Sequence, residues 1–196
     1  MPVKTRSTSP GLVNHGNAYH LAETRLGNAN YLHSWWGIST SSVNAGVDRV
    51  CLTPLWIPRK LTVDAIISRI TVASALMNFR QCIYADNGGT PQGGALLFDS
   101  GDILSAANTA FRTAFAPIQL PRGLVWVGIA TQDGVITFIR ALNVSTWMPA
   151  GSAQPMMDSC FYTMGGWGAL TNPCPVVTQD STARPSILLH IVSIDE

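Results

Sequence analysis

Between Phe79 and Leu142 the chain carries period-two apolar runs cut by turn-forming residues, a pattern that commits it to β structure. In 79–85 the residues alternate, with Arg80, Cys82 and Tyr84 on one face and Phe79, Gln81, Ile83 and Ala85 on the other. The next nine residues, DNGGTPQGG, accept positive φ, and Pro91 has no amide hydrogen for a ladder, so the strand must end in a surface turn. Extended runs follow at 95–100 and 111–118, and Pro121-Arg122-Gly123 turns the chain into 124–130. Asp133-Gly134 is a preferred two-residue hairpin signal, and it predicts that 135–142 returns antiparallel to that run.

Four further strands follow from the same reasoning. Residues 50–58 are extended, but Pro54 and Pro58 place them at an edge, a bend or a strand end. Residues 61–72 alternate with a phase change near Ile66-Ile67, the mark of a bulge, and Asp64 and Arg69 are expected in solvent or in an ion pair. Residues 160–164 form a short strand, and 186–194 form one that is apolar on both faces, suited to the middle of a sheet or interface. About eight strands and no convincing long helix predict an all-β fold, an antiparallel two-sheet β-sandwich of jelly-roll-like type. The expected organisation is an extended amino-terminal arm over 1–46 and one sandwich domain over 47–196. Within the arm, 19–26 holds the only helical hint. Trp35 and Trp36 are expected to pack on the chain's own sandwich, and 1–17 has too few apolar groups to fold alone.

Of the 196 residues 46% are hydrophobic, enough for a sizeable core, while only 12% are charged and the net charge is +1. No basic field exists to steer nucleic acid, and no run is long enough to span a bilayer, so neither nucleic acid nor membrane is an expected partner. Cys51, Cys82, Cys160 and Cys174 are widely spaced and lack metal-ligand spacing; Cys82 and Cys160 read as small buried hydrophobes. His15 and His20 have no supporting carboxylate or thiol, and His190 reads as a satisfied interface or core residue, so no metal or cofactor is expected. Asp86, Asp99, Asp102, Asp133 and Asp180 fall in turns, where aspartate most often caps local amides. Neither a nucleophile elbow nor a phosphate-binding loop is present, and no catalytic constellation emerges. Trp147 and Trp167 stand beside Gly and Pro in loops, where partly exposed indoles could stack on sugars, whereas Trp126 lies in a strand and is expected in the core.

The succession Ile83-Tyr84-Ala85-Asp86-Asn87-Gly88-Gly89-Thr90-Pro91, Gly94-Ala95-Leu96-Leu97, Leu120-Pro121-Arg122-Gly123-Leu124-Val125-Trp126-Val127 and Phe161-Tyr162-Thr163-Met164 resembles β-sandwich domains of tailed-bacteriophage virion proteins. The resemblance spans roughly 50–194; Arg122 and Val125 depart from the usual Pro-Gly-Leu-Tyr-Trp wording. It implies a non-enzymatic virion component, either a head decoration (cement) protein or the head of a tail fibre. In the first case the arm, through Val3, Leu12, Val13, Tyr19, Leu21 and Leu26, would contact the major capsid protein, and the sandwiches would assemble as a homotrimer. In the second, Trp147 and Trp167 would contact a host glycan.

Overall fold

The computed structural model describes residues 31–33, 38–57, 59–107, 109–141, 159–180 and 184–194. Among them there is no helix. Two antiparallel sheets pack face to face as a β-sandwich. The six-stranded sheet contains β1 (Tyr31–His33), β2 (Ile38–Asn44), β4 (Leu61–Val72), β8 (Thr109–Leu120), β10 (Thr137–Ala141) and β13 (Ile187–Ile194). The seven-stranded sheet contains β3 (Arg49–Ile57), β5 (Asn78–Ala85), β6 (Leu96–Asp99), β7 (Ile103–Leu104), β9 (Gly123–Thr131), β11 (Cys160–Thr163) and β12 (Thr178–Gln179). The chain changes sheet at nearly every long connection and so winds around the core between the sheets.

That winding corrects the hairpin expected at Asp133-Gly134. β9 lies between β3 and β5 in one sheet, whereas β10 pairs with β2 and β4 in the other. The carboxylate of Asp133 accepts the amides of Val135 and Ile136, both at 3.0 Å, which makes the segment a capped corner between sheets. The arm boundary moves as well. β1 and β2 belong to the sandwich, with Leu32 fully buried, although 31–44 fall inside the stretch read as arm. ISTSSVN has the composition of a linker, but β2 lies at the end of its sheet's strand order, where polar outward side chains suit the sequence.

The expected bulge is present. Burial along β4 runs in phase through Leu61, Val63 and Ala65, then shifts so that Ile66, Ser68 and Ile70 face the core. The slip lies at Asp64, where β4 changes register against both β8 and β13. β13 lies between β1 and β4, buries Ile187, Leu189 and Ile191, and turns Leu188 and His190 to the outer face. Pro54 sits in the interior of β3, beyond Leu52, the last residue that pairs with β11, so this part of the strand has only β9 beside it.

One polar group crosses the core. Gln81, fully buried on β5, donates from Nε2 to Ser68 Oγ (2.8 Å) and to the Phe111 carbonyl (3.1 Å), and its Oε1 accepts from Thr113 Oγ1 (2.5 Å). Its three partners lie on β4 and β8, so this side chain joins the two sheets.

Candidate functional site

The seven-stranded sheet is buried on both faces. Its inner face contributes Cys51, Leu55, Phe79, Ile83, Val125, Val127 and Ile129 to the main core. Its outer face carries a second apolar cluster that includes Leu52, Cys82, Tyr84, Trp126, Cys160 and Tyr162, covered by Met164, Leu170 and Cys174 from the following loops. Registers of β5, β9, β3 and β11 line up Cys82, Gly128, Leu52 and Cys160 in one row across that face. Gly128 is required there: a Cβ would lie 2.6 Å from the Cys51 carbonyl and 2.5 Å from Leu52 Cδ2.

The motif residues converge on this face and hold its cover in place. Tyr84 and Tyr162 meet edge to face and share a 2.7 Å hydroxyl bond, and Tyr84 also donates to the Thr171 carbonyl at 2.9 Å. Burial pushes both phenols up from the ordinary tyrosine value, so both remain neutral donors at physiological pH. Asp86 accepts the Trp126 indole N–H at 2.8 Å and the Gly89 amide at 2.9 Å, tying the turn to the central strand. The amide of Gly93 donates to the Cys174 carbonyl and that of Cys174 to the Gly94 carbonyl, and Leu96 donates its amide to Asn172 Oδ1. Loops 86–94 and 164–174 are thereby closed on each other.

Beside this cover lies a charged cluster that sequence reasoning missed. Arg80 bonds Asp99 through Nη1 and Asp102 through Nε and Nη2, each at 2.8 Å. Its guanidinium stands 5.7 Å from the Trp167 ring, whose indole N–H donates to Asp102 Oδ1 at 3.1 Å. Trp167 is half-buried against the second cluster, so one pair of carboxylates and one cation clamp a loop indole. The parity that puts Arg80 with Cys82 and Tyr84 was visible in the sequence. Its aspartate partners were not.

Elsewhere the candidates are engaged in holding position. Trp126 is fully buried, as expected. All four cysteines are buried free thiols; burial pushes Cys51 and Cys174 up to about 12, and Cys82 and Cys160 are also raised, chiefly by burial. Among the described residues no group of three or more His, Cys, Asp or Glu side chains could hold a metal ion. On the outer face of the six-stranded sheet, His190 Nδ1 lies 2.5 Å from Asp64 Oδ1 and its ring packs 5.2 Å from Tyr31, with Arg112 3.8 Å from the same carboxylate. Asp64 is thus paired, as expected, and His190 is satisfied on a half-exposed face instead of in the core. The arm residues Val3, Leu12, Val13, Tyr19, Leu21 and Leu26, with His15, His20, Trp35, Trp36 and Trp147, lie outside the described residues. No protein-family model matches the chain, and no curated protein matches its sequence.

Proposed function

We propose that this chain is a non-catalytic structural protein of a bacteriophage virion, a capsid decoration protein that stabilises the head by bridging capsid subunits. One observation carries the reading: the polar side chains of the virion-like motifs, Tyr84, Asp86 and Tyr162, are spent on the protein's own scaffold. Such a sandwich serves by keeping its shape and presenting surface. In this mechanism the amino-terminal arm lies across neighbouring capsid subunits while the sandwiches meet around a symmetry axis as a trimer. A specific contact of this kind commonly buries about 1,200–2,000 Å², and repetition over a shell multiplies its effect against internal pressure. Cosedimentation with purified heads tests the proposal: the full chain binds saturably, and removal of 1–17 abolishes binding while the sandwich stays folded. Unaltered binding without 1–17 would sink the arm mechanism, and no binding by the full chain would sink the decoration role.

A second reading, a tail-fibre head that recognises host glycans, draws on one observation. Trp167 is only half-buried and sits beside the 45% exposed side chain of Asp102. Its hydrogen-bonding edge is already used by that carboxylate, which is why decoration is preferred. Loss of host-cell binding on Trp167→Ala, with the fold retained, would favour the glycan reading.

A further inference from the structure

Of the nine large hydrophobic side chains exposed among the described residues, six gather at one end of the sandwich: Val47, Val72, Leu76, Met77, Leu104 and Val135. They are carried on segments 45–48, 72–77, 103–107 and 132–136, which hydrogen bonds knit into one surface. Thr131 Oγ1 donates to the Gly46 carbonyl at 2.8 Å, and the Gln132 amide donates to the Asn78 carbonyl at 3.1 Å. The Ser74 amide donates to Ser105 Oγ, that hydroxyl donates back to the Ser74 carbonyl, and the Ser105 amide donates to the Met77 carbonyl. A Cβ on Gly134 would touch Val47 Cγ2 at 3.6 Å, and Val72 lies opposite Thr137 across the ladder.

Leu76 singles this end out. It is 85% exposed, and its φ of +62° is a conformation that a bulky L-residue rarely adopts. Glycine or asparagine would fill such a turn more comfortably. The turn instead presents a leucine to solvent, a local arrangement of the kind that clusters at functional surfaces.

We propose that this end is the surface through which copies of the chain associate with one another; the inference rests on the oligomeric role proposed above and names its interface. Charge selects the occupant. The four segments contain only two charged residues, Asp48 and Asp133, and no Lys or Arg. The Asp133 carboxylate is already bonded to the amides of Val135 and Ile136. Without basic residues the surface has no electrostatic attraction for anionic lipid headgroups. It also lacks Trp, Tyr and Arg, the anchors that dominate binding hot spots between proteins. What remains is an apolar, charge-depleted surface on a pre-organised frame, the composition found in the cores of homo-oligomer interfaces, and a second identical surface complements it without unpaired charge.

Sedimentation velocity on the full chain over a range of concentrations tests the proposal, with Leu76→Asp and Leu76→Gly as variants. Both new residues tolerate the backbone at this position, so neither should lower the thermal midpoint. Wild type is expected to assemble, and Leu76→Asp to raise the dissociation constant by about a hundredfold, since one buried leucine is removed from each side. Leu76→Gly gives a smaller increase in the same direction. A wild-type chain that stays monomeric at its highest soluble concentration overturns the proposal. So does unchanged assembly of both variants. If the variants remain assembled and still bind heads, the interface lies elsewhere and the virion role stands; if wild type assembles through this end but ignores heads, the surface stands and the virion role falls.

Discussion

Replacement of Gln81 by leucine removes the polar bridge between the sheets at nearly constant volume. Three side-chain hydrogen bonds are lost, to Ser68, Phe111 and Thr113. At about 1 kcal/mol net each they amount to about 3 kcal/mol. Ser68 is 1% exposed, so its abandoned hydroxyl adds a desolvation cost, while the buried leucine offsets about 1 kcal/mol. The expected loss is about 2–4 kcal/mol, a large share of the roughly 5–15 kcal/mol that holds a domain folded. Urea unfolding followed by tryptophan fluorescence should show the midpoint falling by about 1–2 M with an unchanged slope. The companion variant Ser68→Ala/Gln81→Leu/Thr113→Val removes the polar partners together and should recover at least half of the loss, because orphaned groups cost more than absent ones. A loss below about 1 kcal/mol for Gln81→Leu, or a triple variant less stable than the single one, would refute the bridge as the source of the effect.

Gly128→Ala should destabilise by about 3 kcal/mol in the same assay, since the new methyl meets the Cys51 carbonyl and Leu52 at under 3 Å. Thr53 is fully buried on the inner face of β3, and its hydroxyl has no hydrogen-bond partner among the described residues, so Thr53→Val should stabilise by about 1 kcal/mol. The four buried, pKa-raised thiols should resist an alkylating reagent at pH 8 in the native protein and all react in denaturant, as counted by mass spectrometry. Partial burial raises the Asp133 carboxyl, but hydrogen bonds from Ser74 and the amides of Ile136 and Val135 outweigh it and hold the group below its ordinary value. Its contribution is therefore present above the unfolded pKa and lost as pH falls through the folded one, so Asp133→Asn should lower the thermal midpoint at pH 7 and have little effect near pH 2.

How far the sequence could be read depended on the range of the interaction. Strand 79–85 and the β4 bulge were legible because side-chain parity is local and one slipped residue reverses it. Parity also located Trp126 in the core and put Tyr84 on one face with Cys82. The Asp133-Gly134 corner was misread because dipeptide chemistry specifies a turn but not which sheet the next strand joins. Strand β2 was concealed by its Ser and Thr content, which suits an edge as well as a linker. At the candidate site, Tyr84 and Tyr162 are 78 residues apart and Trp167 is 65 from Asp102, so no local pattern announces either pair. Arg80 looked like any charged residue on a strand until Asp99, Asp102 and Trp167 closed around it. The apolar end was equally concealed, because its exposed side chains come singly from four separate segments.

Immunogold electron microscopy of native phage particles, with antibody raised against the folded chain, tests the virion role most directly. Gold distributed over the head is the result predicted for a decoration protein. Gold confined to the tail tip, or particles that carry none, would contradict it.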